Sequence, residues 1–156
     1  MTGLLVRKFE NKDAAATAQI FFDAIHIGAK DHYTEKQRRA WAPQVPETSK
    51  WLELLNSQIS YVAEQEGKLV GFMILMDDGC VDLTFVTPER IGQGISKVLY
   101  DSIIMKASKA GMKRLHVEAS HMARKFFERQ GWSVINPQTV ERAGVSLENF
   151  LMQKEL

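Results

Sequence analysis

The sequence predicts an α/β fold with a mixed central sheet flanked by helices. Three observations point to it. Apolar residues in the first third recur at helical intervals, and from Ser60 the pattern changes to strand-like runs broken by glycine turns. A β-rich run then ends at Pro88, two glycines one residue apart open an amphipathic helix, and a further strand follows. Such a strand–helix–strand unit demands a parallel pair with a right-handed crossover. The hairpins around it are antiparallel, so the sheet is mixed.

Each element has its own signal. Residues 4–9 (Leu4 to Phe9) read as a short strand. Asn11 offers an N-cap to a helix carrying Ala14, Ala18, Phe21, Phe22 and Ile25 on one face, and Gly28 interrupts or ends it. Thr34 caps a second, polar helix through Trp41, closed by Pro43 and Pro46, and Thr48 caps a third short turn around Trp51 and Leu55. The runs Ser60 to Glu64 and Leu69 to Leu75 flank a hairpin turn at Glu66-Gly67-Lys68. Asp77-Asp78-Gly79 turns the chain into a strand from Val81 to Val86. A helix from Ile95 to Ala110 buries Ile95, Val98, Leu99 and Ile103 and stops at Gly111. Leu115 to Glu118 is a strand, and Ser120 to Gln130 a helix ended by Gly131. Trp132 to Ile135 and Val145 to Met152 are the last strands.

Composition bounds the function. The 156 residues form one domain, 1–156, large enough to bury a core without disulfides or metal. A chain 45% apolar and 25% charged is globular, and a net charge of +1 argues against a dedicated nucleic-acid binder. Cys80 stands alone, so neither a disulfide framework nor a thiolate metal cluster is expected. The chain has no apolar run of membrane-spanning length, and Met1 to Arg7 do not form a signal peptide, so the default location is cytoplasmic.

The stretch from Phe85 to Leu99 is the most informative. Backbone N–H groups at a helix N-terminus, with only glycine before them, make a phosphate site. Gly92-Gln93-Gly94 lacks the third glycine of the dinucleotide fingerprint, where Lys97 stands, and the Gly-Lys-Ser/Thr end of a Walker loop. Glycines that only relieve backbone strain are the plainer alternative.

The order of elements around Pro88-Glu89-Arg90-Ile91-Gly92-Gln93-Gly94-Ile95 resembles the GNAT superfamily of acyl-CoA-dependent N-acetyltransferases. Ala123-Arg124-Lys125-Phe126-Phe127-Glu128-Arg129-Gln130-Gly131-Trp132 resembles that superfamily's Ala-x-x-Phe-Tyr-x-x-x-Gly-Phe segment. Residues 33–43, Val140-Glu141-Arg142 and Asn149 to Met152 are similar to one bacterial subgroup, the YafP-like proteins. The resemblance spans nearly the whole chain. It implies the GNAT acyl-CoA N-acyltransferase fold and acetyl-CoA as co-substrate, with no metal. The loop amides from Ile91 to Ser96 would hold the coenzyme A pyrophosphate, with Lys97 and Arg90 offering charge. Ile91 replaces the usual Gln or Arg, and Ser96 the usual Gly or Ala. An N–H near Phe85 or Val86 would polarise the thioester, and the pantetheine arm would run along that strand.

The implied reaction is direct attack of a primary amine, of a small molecule or a peptide, on the thioester. The amine must shed a proton, and Glu118 and Asp82 are the candidate bases because both border the expected cleft. Asp82 could instead brace the Asp77-Asp78-Gly79 turn. The family's tyrosine, which protonates the leaving thiolate, is Phe127 here. Ser120, Tyr100, Tyr33 and Tyr61 are the other hydroxyls to consider, and Phe127 could still pack on the pantetheine arm. His32, Tyr33 and Trp41 are candidates to line the amine pocket, which should form between the first helices and the last hairpin. A homodimer fits the resemblance. The alternative is a GNAT fold that binds acyl-CoA or a partner without turnover.

Overall fold

The computed structural model describes residues 3–156; Met1 and Thr2, part of the stretch read as lacking a leader, lie outside. Strand β1 (Leu4–Lys8) leads through a 3-10 turn into helix α1 (Ala14–Asp23), which runs on as a π-turn to Gly28. Helices α2 (Glu35–Trp41) and α3 (Thr48–Ser57) follow, then strands β2 (Ile59–Gln65), β3 (Lys68–Leu75) and β4 (Val81–Val86). Helix α4 (Ile95–Lys109), strand β5 (Arg114–Ala119), helix α5 (His121–Arg129) and the hairpin β6 (Ser133–Arg142) and β7 (Val145–Glu155) complete the chain. No helix among the described residues is long and apolar enough to cross a membrane.

Two antiparallel sheets replace the single mixed one expected. One runs β1-β2-β3-β4, the other β5-β7-β6. The expected parallel pair of β4 and β5 shrinks to one bridge at its start, between Cys80 and His116. The His116 N–H donates to the Gly79 carbonyl at 3.0 Å, and beyond that the strands part. Burial holds the Cys80 thiol neutral, its pKa pushed up to about 12 with help from nearby carboxylates.

Alternation explains the layers. Val62, Phe72 and Ile74 face α1 and α3, packing on Ala18, Trp51 and Leu55. Ala63, Met73 and Leu75 face the other way, against Leu99 and Ile103 of α4. Close approach of α4 needs Gly71, where a Cβ would lie 3.0 Å from the Phe85 carbonyl oxygen and 3.2 Å from Ile95. Val98, expected inside, is 39% exposed, and Tyr100 takes its place in the core.

Two further expectations are corrected. Asn11 caps no helix. Glu10 and Asp13 form the capping box, and Asn11 accepts instead from Asn56 Nδ2 at 2.9 Å. The last hairpin is longer than its apolar segments, because Pro137 sits on edge strand β6, where a missing N–H is tolerated. Thr34, by contrast, caps α2 as read, with Gln37 closing the box.

Asp13 ties β1 to α1. It accepts from Arg7 Nη1 at 2.8 Å, Arg7 Nη2 at 2.9 Å and the Glu10 N–H at 2.8 Å. Burial alone would raise its pKa, but the Arg7 and Glu10 hydrogen bonds and the Arg7 charge together hold it below the usual value. A depressed folded-state pKa means stability that is present above the unfolded value and lost as pH falls through the folded one. Asp13→Asn should therefore destabilise by roughly 2–4 kcal/mol near neutrality. Below about pH 4 its denaturation midpoint should fall less steeply than that of the parent chain. Urea titrations at pH 7 and pH 3 check both.

Candidate active site

Where β4 and β5 part, two cavities open beside each other. The larger, about 450 Å³, is walled by Thr84, Phe85 and Val86, by the loop leading into α4, and by Met122, Ala123 and Phe126 of α5. Its loop starts as a 3-10 turn, Pro88–Arg90, and then uses two left-handed residues, Gly92 at φ 83° and Gly94 at φ 82°. A Cβ at Gly92 would meet nothing within 4 Å, so glycine there serves the backbone angle and leaves the space ahead open. Gly94 occupies the N-cap position of α4 with no side-chain cap, so the first amides of a 15-residue helix are left to a ligand or to solvent. This fits a bound pyrophosphate, the anion that such a terminus favours.

The electrostatics agree. Arg90, Lys97 and Arg129 line the larger cavity, and no carboxylate does among the described residues. Arg90 Nη1 donates to Gln65 Oε1 at 3.0 Å, which fixes its direction, while Lys97 pairs with Asp101 one turn along. Arg129 was not foreseen. It follows Met122 and Phe126 at helical spacing, a signal that the sequence does carry.

Among the residues expected on this wall, Ile91, Gly92, Gly94, Ile95, Ser96 and Lys97 line it, as do Phe85, Val86 and Ser120. Gln93 is exposed on the same loop but does not. Phe127 does not either: it is fully buried between Tyr100 and Trp132, with its ring centroid 4.7 Å from that of Trp132. The neighbouring Phe126, one helical step round, faces the cavity instead. A ladder argument selects between Phe85 and Val86. Thr87 N–H bonds Val70 across β3, so antiparallel alternation spends Phe85 inward and turns the Val86 N–H toward the open edge.

The smaller cavity, about 150 Å³, gathers Asp82, Glu118, Tyr33 and Trp41, all expected near the reaction. Arg142, Glu148 and Asn149 of the last hairpin join them. Asp82 does not brace the preceding turn; that role falls to Asp78, whose Oδ1 accepts the Cys80 N–H at 2.9 Å. Packing of the Asp82 carboxyl raises its pKa, and the Glu118 charge across the cleft raises it further. Trp41 stands edge-on to Tyr33 at 5.4 Å between centroids. His32 lines neither cavity; exposed, it stacks on His121 at 5.7 Å.

Hydroxyls sort cleanly by their bonds. Tyr33 Oη donates to the Glu148 carbonyl at 2.8 Å and accepts the His121 N–H at 3.2 Å, a buried strut between α5 and β7. Tyr100 Oη accepts from Trp132 Nε1 at 2.8 Å inside the core, and Tyr61 packs against that core. Ser120 is different. Its Oγ caps α5 by accepting the Ala123 N–H at 3.1 Å, which leaves its own proton to donate. Phe85 and Ser120 line both cavities and mark where they meet.

Comparison with known proteins gives the family. Residues 29–156 match the family described as an acetyltransferase (GNAT) domain. The chain is 33% identical to the uncharacterised N-acetyltransferase YafP of Escherichia coli K12, over 98% of this chain and 97% of that one. A GCN5-related N-acetyltransferase structure from Rhodopseudomonas palustris superposes with a TM-score of 0.94 at 32% identity, covering 100% of this chain and 98% of the other. The fold is also that of PaiA N-acetyltransferase from Thermoplasma acidophilum, solved with coenzyme A: TM-score 0.80, 16% identity, 98% and 99% covered. The chain belongs to the GNAT family of acetyl-CoA-dependent N-acetyltransferases.

Proposed function

We propose that this chain, as a single domain, transfers an acetyl group from acetyl-CoA to a primary amine by direct attack on the thioester. One observation carries the reading. A cationic cavity at an uncapped helix N-terminus meets an anionic cavity at Phe85 and Ser120. Acetyl-CoA would supply the activated carbonyl and the thiolate leaving group. The chain supplies the rest. The amides of Gly94, Ile95 and Ser96 hold the pyrophosphate. The Val86 N–H, at the free edge of β4, stabilises negative charge developing on the carbonyl oxygen. Asp82, its pKa raised by burial and Glu118, accepts the proton from the attacking nitrogen. As the carbon–sulfur bond breaks, the Ser120 hydroxyl donates a hydrogen bond to the departing sulfur in place of the tyrosine that Phe127 replaces. Trp41 and the ring of Tyr33 wall the amine.

A thermal-shift titration with acetyl-CoA, run beside thiol release over an amine panel, tests this. Micromolar stabilisation and release that depends on amine are expected. Stabilisation without release for any amine would make the chain a binding module, and no stabilisation would remove the pyrophosphate assignment.

A further inference from the structure

We infer that the Thr84 hydroxyl is a second hydrogen-bond donor to the thioester carbonyl, beside the Val86 N–H. This rests on the transfer reading above and adds a catalytic residue to it. Among the described residues, two buried side-chain polar atoms lack a hydrogen-bond partner, Thr84 Oγ1 and Asn149 Oδ1. Thr84 lines the larger cavity and Asn149 the smaller, so both orphans fall at the site. A buried hydroxyl without a partner costs stability, and a ligand that supplies the partner removes that cost.

Strand geometry gives the partner. Thr84, Phe85 and Val86 pair in unbroken register with Met73, Phe72 and Gly71. Alternation puts Thr84 on the same face of β4 as Val86, opposite to Phe85, which packs on Phe21 and Phe72. The pantetheine arm leads from Val86 toward Gly94, away from Thr84, so the acyl end is the group within its reach. At a rise of about 3.3 Å per residue, the Thr84 side chain and the Val86 N–H end roughly 5 Å apart. Two donors at that separation share one oxygen at roughly 2.9 Å each. Thr84 Oγ1 is out of reach of solvent in the free chain, and one step between χ1 wells brings it to the cavity side. The carbonyl oxygen gains negative charge as the nitrogen attacks, so this hydrogen bond strengthens in the transition state. The hydroxyl proton stays on Oγ1 throughout.

Calorimetry with acetyl-CoA, and with coenzyme A, which lacks the carbonyl, tests this on Thr84→Val and Thr84→Ser. In Thr84→Val, acetyl-CoA affinity should fall by about three- to tenfold, the loss of one hydrogen bond, and coenzyme A affinity by less than about twofold. Infrared spectra of bound acetyl-CoA, its carbonyl labelled with carbon-13, should show the band at higher wavenumber in Thr84→Val than in the parent. Thr84→Ser should return both readings toward the parent. The urea midpoint of the free Thr84→Val chain should be no lower than the parent's, since an unpartnered hydroxyl is removed. Equal losses for the two ligands, or an unmoved band, would overturn the inference. So would a marked loss of stability, because the hydroxyl would then already have a partner, or a parent chain that does not bind acetyl-CoA. A band that moves as expected while no amine releases thiol leaves the inference standing and removes only the transfer reading.

Discussion

Asp82→Asn should lower kcat/KM by about 10²–10⁴-fold, the usual contribution of a positioned base, without a change in acetyl-CoA affinity. The acidic limb of the pH–rate profile should disappear with it, because that limb reports ionisation of the base. Glu118→Gln should behave differently. Burial and the Glu118 charge both raise the Asp82 pKa, so removing that charge lowers it. The acidic limb should then move to lower pH while the plateau falls only modestly, since a weaker base remains in place. A limb that survives Asp82→Asn and vanishes in Glu118→Gln would exchange the two roles. Circular dichroism and coenzyme titration on both variants separate lost chemistry from lost fold.

How far the sequence led can be traced residue by residue. The glycine loop was legible because its chemistry is local: two left-handed glycines and the helix they open need no partner from elsewhere in the chain. Thr34 was legible for the same reason, its capping box being complete within four residues. Asn11 failed because Glu10 and Asp13, two acidic residues beside Arg7, satisfied the helix start first. The choice between Phe126 and Phe127 turns on one residue of helical phase, and that is settled by how α5 packs on Tyr100 and Trp132, not by the motif. Arg142, Glu148 and Asn149 were hidden for a different reason. Leu147 packs with Ala29 and Tyr33, and that contact brings the last hairpin against the first helices across more than a hundred residues. The resemblance implied that meeting, but the short polar segments of the hairpin carry no periodic signal that picks out which of its residues reach the pocket. The parting of β4 from β5 was equally invisible in the alternation of either strand.

Gly94→Asp should lower acetyl-CoA affinity by about 100-fold or more and leave the folded state nearly as stable as before. The two halves of this expectation come from one geometry. Gly94 stands at φ 82° and ψ 8°, where an L-residue loses roughly 1–2 kcal/mol, although aspartate tolerates this region better than most. An aspartate at the N-cap position also gains from the helix dipole, so much of that loss is offset. For a pyrophosphate the same carboxylate is the wrong charge in the wrong place. At about 4 Å and an effective dielectric near 20, a pair of like charges repels by about 4 kcal/mol, well above what 100-fold requires. Gly94→Ala is the needed control, since it carries the backbone strain without the charge. Its coenzyme affinity should fall by less than tenfold. Salt separates them further: raising ionic strength should weaken coenzyme binding to the parent chain, because attraction is screened, and narrow the gap to the aspartate variant, because repulsion is screened as well. Calorimetric titrations at low and high salt, with urea denaturation on each variant, measure all of this. An aspartate variant that binds acetyl-CoA within threefold of the parent would mean that the pyrophosphate sits elsewhere, whatever the cations around the larger cavity suggest.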